Sequence, residues 1–310
     1  MLSKIFGKKK VAPARGKLEP LTSGVKGTIL SSLGLKSVPV MPQAAQKAFE
    51  LATNPKAEAH DFIEVIEADE GLSARIVKIA NSVFYDRGGG SKTISDAVQV
   101  IGTAELRGLL NASALSDLFT IKHSLRGSMW SHDIATALTA RVLARRVLPS
   151  QTDHALLAGL MHDVGKLLML QRHSDTYEKI SLKSVQEGVE SVVAEATEYP
   201  FDHTEVGQLI AERWNFSQEL TAAIRSHHMD WRDLEPLSLA GIVKASNIIA
   251  HSLGLGETSN TARIRSVYEP LVADSWAALT ISAGDQKNIL EEAKRSFETE
   301  YELYASWGKN

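Results

Sequence analysis

A histidine and an aspartate, His162 and Asp163, stand side by side inside the apolar stretch LLAGLMHDVGKLLML. No other feature limits the fold as strongly. Burying a carboxylate beside an imidazole is costly unless another charge compensates for it. A divalent cation does so directly, and His132, His203, His227 and His228 stand at intervals from which they can reach the same place. The pattern asks for a body that gathers distant segments around one buried acid. Such a centre is either a working metal site or the remains of one inside a regulatory module.

The chain contains no cysteine, so disulfides and thiolate ligation are excluded. Imidazole and carboxylate ligands suit one or two divalent ions of Fe, Mn, Zn or Ni and disfavour Cu(I). With 310 residues, 44% of them hydrophobic and 23% charged, the chain can build one large domain or two modest ones. A net charge of -3 gives no global reason to expect a nucleic-acid partner. Arg141, Arg145 and Arg146 read as a solvated face with local ion pairs. No apolar run approaches the roughly 18–20 residues that span a bilayer, so no stable membrane insertion is expected. The start, MLSKIFGKKK, has too short an apolar part for a signal peptide and carries its charge on the wrong side. The protein is expected to be cytoplasmic.

From Pro39 onward the spacing of apolar residues is helical, and neither a βαβ alternation nor a hairpin series occurs, so the expected fold is all-α. Residues 1–35, rich in Lys, Gly, Ser and Pro, read as a flexible basic tail. An N-terminal helical lobe is expected over 36–125, with Pro42 in the first turn of a helix. HDFIEVIEADEGLSARIVKIANSVFY reads as two helices broken near Asp69 to Gly71, and Gly88 to Gly90 as a mobile loop. A second lobe over 126–254 carries nearly all the candidate ligands, and 255–310 forms a C-terminal helical extension. Asp202 with Glu205 has the capping-box pattern, Ser217 is a good N-cap, and Gly254 and Gly256 end an apolar helix.

On this reading His132 projects from a long helix over about 129–147, and His162 and Asp163 are adjacent on a second. His203 opens a third, and His227 and His228 end a fourth. Ligands from several helices facing one centre are how bundles assemble di-metal sites. Two ions a few ångströms apart can hold a phosphate ester and deprotonate a water for in-line attack. Lys166, one turn after Asp163, can reach a phosphate oxygen, which gives Asp163 and Lys166 the candidate catalytic roles. His60, His123, His154, His173 and His251 read as ordinary surface or core residues, and Trp130, Trp214 and Trp231 as packing residues.

The succession WSHDIATA, HDVGK, HTEVG and SHH resembles the HD superfamily of metal-dependent phosphohydrolases, in particular the HD-GYP phosphodiesterases of cyclic dinucleotides. That resemblance implies a multi-helix HD-type bundle with His132, His162 and Asp163 as the first ligands. It adds His203, His227 and His228 as the extra ligands of the HD-GYP branch. The final aspartate of the superfamily falls at Asn247, a weaker neutral ligand, and MDWRDLEP stands where the GYP element is expected. The first lobe, through VMPQAAQKAFELATNP, IEADEGLSARIVKIANSVFY and ISDAVQVIGTAELRGLL, resembles HDOD domains, with DEGLS at Asp69 to Ser73 in place of the usual DP-x-LS. HDOD domains are bacterial signalling modules, so the resemblance implies a regulatory protein acting on signalling partners. The alternative is a metal-dependent phosphohydrolase of a nucleotide or cyclic dinucleotide.

Overall fold

The computed structural model describes residues 18–41, 43–54, 56–85, 90–119, 121–256 and 262–305. The regular elements are helical, as the periodicity predicts, and no strand occurs among the described residues. The first part holds α1 (Ser23–Ser32), α2 (Gln43–Thr53), α3 (Ala59–Glu67), α4 (Glu70–Ala80), α5 (Ile94–Ile101) and α6 (Thr103–Leu118). Asp69 breaks α3 from α4 because its carboxylate caps the new helix, accepting from Leu72 N at 2.9 Å. α2 packs on α6, where the Arg107 guanidinium donates to the carbonyls of Leu51, Ala52 and Asn54 as α2 ends. Carbonyls at a helix C-terminus lack the N–H groups of a following turn, and the guanidinium supplies donors in their place.

The structure corrects the expected tail for the part that it describes. α1 is capped by the Thr22 hydroxyl and buries Ile29, followed by Leu33 at its C-cap. Leu21 N donates to Glu212 Oε1, and Lys26 pairs with Glu212 at 2.8 Å. Two buried residues four apart are too few to show as a sequence period, which is why the segment reads as tail. Residues 1–17 lie outside the described residues, as do Pro42 and, of the glycine loop, Gly88 and Gly89.

The ligand-bearing part holds α7 (Ser124–Val147), α8 (Thr152–Met161), α9 (Val164–Arg172), α10 (Ser174–Glu187), α11 (Ser191–Glu195), α12 (His203–Arg213), α13 (Gln218–Ser226) and α14 (Leu239–Leu253). The chain ends with α15 (Ala262–Tyr268), α16 (Leu271–Ala278) and α17 (Ala283–Ala305). α7 is the axis. α8, α14 and α17 pack around it, so Ile134, Leu138, Val142 and Leu143 are buried together with polar Thr136 and Thr139. A helix buried all round loses the two-faced pattern of a surface helix.

Two close approaches set the geometry. A Cβ on Gly159 would stand 2.4 Å from Ala137 Cα, and one on Gly165 would stand 1.9 Å from the His203 carbonyl oxygen. Glycine is the residue that lets α8 meet α7, and α9 meet α12, backbone to backbone. α17 is locked to the axis: Trp130 Nε1 donates to Tyr304 O at 3.1 Å, and the hydroxyls of Ser131 and Tyr301 are 2.6 Å apart. Arg141, expected on a solvated face, is buried instead. It pairs with Glu105 of α6 at 3.0 Å and with Glu300 of α17.

Candidate metal centre

The apolar stretch around His162 and Asp163 is not one helix, as its pattern predicts, but two. α8 stops at Met161 and α9 starts at Val164, so the His-Asp pair occupies the turn between them. A turn frees both side chains to face inward. His162 Nδ1 donates to Gly159 O at 2.8 Å, which leaves Nε2 as the inward, unprotonated nitrogen. His203 is the first residue of α12, held there by the capping box of Asp202 and Glu205 that the sequence predicts. His227 follows α13, which Ser217 caps as expected, and His228 is next to it. His132 comes from α7 and Asn247 from α14.

All seven residues converge. Asp163, His203, His227 and His228 form one group of potential ligand atoms, and His132, His162 and Asp163 form another, each within 4.8 Å. Asp163 belongs to both. Its Oδ1 lies 3.1 Å from His203 Nε2 and 3.5 Å from His227 Nε2. Its Oδ2 lies 3.4 Å from His162 Nε2 and 2.6 Å from Lys166 Nζ. His132 Nε2 is 2.9 Å from Asn247 Oδ1. His162, His203, Asp163, His227 and Asn247 are almost fully buried.

Charges are set by burial first and neighbours second. Burial works against the Asp163 carboxylate, but His162, Lys166 and His203 hold it well below the usual carboxylate range. Burial pushes His162 and His227 each down to about 3. His132 and His228 are driven well below the imidazole range by the same burial and by neighbouring imidazoles. His203 is the exception: burial opposes its charge, yet the carboxylates of Glu195 and Asp163 lift it up to about 9.

Four residues next to the ligands carry no readable sequence signal. Glu195 is buried at the end of α11, accepts from His203 Nδ1 at 2.9 Å and His203 N at 2.8 Å, and receives the Tyr177 hydroxyl at 2.6 Å. Glu190 receives His228 Nδ1 at 2.5 Å. Asp133 lies buried behind His162, with Oδ1 3.9 Å from Nδ1. His251, expected to be an ordinary residue, stacks on His132 with ring centroids 4.1 Å apart and on Tyr268 at 4.2 Å. An acid among apolar neighbours, VVAEA, is the one clue to Glu195 that the sequence carries.

The residues suit a divalent ion. His162 Nε2, His228 Nε2 and Asp163 Oδ1 are buried, face the shared centre and complete no well-aligned hydrogen bond. Buried polar atoms left this way are costly, and an ion bound by nitrogen and oxygen would satisfy them together. Beside the centre lies a cavity of about 190 Å³ whose lining includes His132, Asp163, Lys166, Tyr177, Ser191 and His251.

A helical bundle that gathers a histidine, a His-Asp turn and later histidines round one buried acid defines the HD type of protein. Within that class the chain belongs to the HDOD domain family, whose profile matches residues 38–229. α14, with Asn247, lies beyond the matched span. Solved structures share the fold. A Marinobacter aquaeolei VT8 protein, provisionally described as a signal transduction protein, superposes with a TM-score of 0.73 at 22% identity, covering 95% of this chain and 63% of its own. An HDOD domain protein of unknown function from Geobacter sulfurreducens gives 0.72 at 21%, covering 92% and 97%. A Shewanella amazonensis SB2B protein, provisionally described as a phosphohydrolase, gives 0.67 at 23%, also covering 92% and 97%. An uncharacterized protein of Treponema pallidum (strain Nichols) is 22% identical over 223 residues, which are 70% of this chain and 42% of that protein. The chain therefore spans less than half the length of that curated relative.

Proposed function

We propose that this chain is a regulatory HDOD module that holds divalent metal at its HD-type centre and acts through contact with signalling proteins, without turning over a phosphodiester. The observation that carries this reading is the condition of Asp163 and its surroundings. Lys166 neutralises Asp163 Oδ2 at 2.6 Å, and the amide of Asn247 faces His132 at the position the resemblance gives to a carboxylate. Both features lower the negative charge that a catalytic pair of ions needs. A divalent ion at this centre supplies Lewis acidity, and His132, His162, Asp163, His203, His227 and His228 would hold it. Lys166, which its spacing offers to a phosphate oxygen, is engaged by Asp163, and that engagement supports the regulatory reading. The adjoining cavity, about 190 Å³, is below the roughly 300–1,000 Å³ of ordinary ligand pockets and too small for two nucleotides. Val83 and Phe84, exposed side by side after α4, give the first lobe an apolar contact point. The provisional signalling description of the Marinobacter protein agrees with this reading.

The second reading, a metal-dependent phosphohydrolase of a nucleotide or cyclic dinucleotide, is favoured by one observation: His132, Asp163 and Lys166 all line that cavity. An assay of manganese-loaded protein against bis(p-nitrophenyl) phosphate separates the two. The regulatory reading expects no hydrolysis above the manganese buffer. Turnover that falls by orders of magnitude in Asp163→Ala would establish the hydrolase instead.

A further inference from the structure

The two ligand groups share Asp163 but are not equivalent. Oδ1 faces His203 and His227 and completes no well-aligned hydrogen bond, whereas Oδ2 faces His162 and is already engaged by the Lys166 ammonium. Behind His203 stands Glu195, and behind His228 stands Glu190, each carboxylate bonded to the Nδ1 of its imidazole. Charge-assisted bonds of this kind fix the ring, make Nε2 a stronger donor and add negative charge next to a cation. On the other side, the hydrogen bond of His162 Nδ1 goes to the Gly159 carbonyl, not to a carboxylate, and His132 Nε2 meets the neutral amide of Asn247. One group thus has three carboxylates in it or hydrogen-bonded to it, whereas Asp133, behind His162 in the other, stands 3.9 Å off and outside hydrogen-bond reach. The other group's one ligating carboxylate is Asp163, through the oxygen that Lys166 engages.

We infer that this chain holds one divalent ion tightly, at Asp163, His203, His227 and His228, and that the group of His132, His162 and Asp163 is a weak second site. The inference rests on the metal-holding reading and assigns the ion within it. The carboxylates that strengthen the tight site come from Glu190 and Glu195, at the two ends of α11, so the short segment between α10 and α12 helps to determine metal affinity.

Calorimetric titration of the full chain with manganese, checked by elemental analysis, tests this. The expected result is one tight ion per chain and a second event at least about 100-fold weaker. Glu195→Gln should weaken the tight event by about 10–100-fold, and His228→Ala, whose side chain is nearer the surface, should do so without risk to the core. His132→Ala should leave it in place, and Asn247→Asp should strengthen only the weak event. Circular dichroism confirms that each variant is folded. Two ions of equal affinity, or a tight event lost in His132→Ala and kept in His228→Ala, would overturn the inference while leaving metal binding intact. No binding at all would overturn the metal-holding reading itself.

Discussion

Arg141 and Arg146 stand on the same helix and meet opposite fates. Arg141 is buried, and although burial opposes its charge, Tyr304, Glu105 and Glu300 hold the guanidinium firmly protonated. Removing it strands two carboxylates against the core, which is the expensive way to break a buried pair. Arg141→Met should therefore lower stability in urea by about 3–5 kcal/mol. Arg146, paired with Glu292 at the surface, should tolerate the same change with no measurable shift of the urea midpoint. The sequence shows both as arginines on one helix and cannot tell them apart, because their partners lie far along the chain in α6 and α17. Glu195 escapes notice because the fold, not a local pattern, brings it against His203 and Tyr177. His132, His162, Asp163, His203, His227 and His228 are legible because six residues of types suited to nitrogen and oxygen ligation recur in a known order, and the structure brings them together.

Helix ends fixed by local residues are legible, whereas elements shaped by distant parts of the chain are not. The break before α4, the capping box of α12, the Ser217 cap of α13 and the glycine end of α14 stand where the local residues place them. Each depends on bonds within a few residues. The division of α8 from α9 does not, because the apolar pattern runs on through His162 and Asp163, and only the inward pull of the centre explains the turn. α1 is hidden because part of what anchors it lies in α12, where Glu212 takes Lys26 and Leu21 N, and Gln208 donates to Glu19 O just before the helix. The packing of α9 on α12 offers a direct test. Gly165→Ala must push a methyl into the His203 carbonyl, so it should cost about 1–3 kcal/mol or more in urea unfolding, well beyond any gain in helix propensity. An unchanged midpoint would show that α12 moves freely against α9.

For the whole molecule, the proposed metal binding would make ion uptake and folding one equilibrium. An ion that binds the native centre and not the unfolded chain stabilises by mass action, about 2.7 kcal/mol at a hundredfold excess over its Kd. Manganese should therefore raise Tm in a concentration-dependent way, and a chelator should reverse it, while Asp163→Ala should show neither effect. Differential scanning calorimetry reads this without any assay of activity. The C-terminal extension shares in the same unit, since α17 grips α7 at Trp130, Ser131 and Arg141, next to His132. The contact at Gly165 has one more consequence. Asp163 and His203 hang from main chain that rests on main chain, so the spacing of their backbones is set by the packing of α9 on α12. Were the proposed centre to take an ion, that backbone gauge would favour cations whose radius suits the gap.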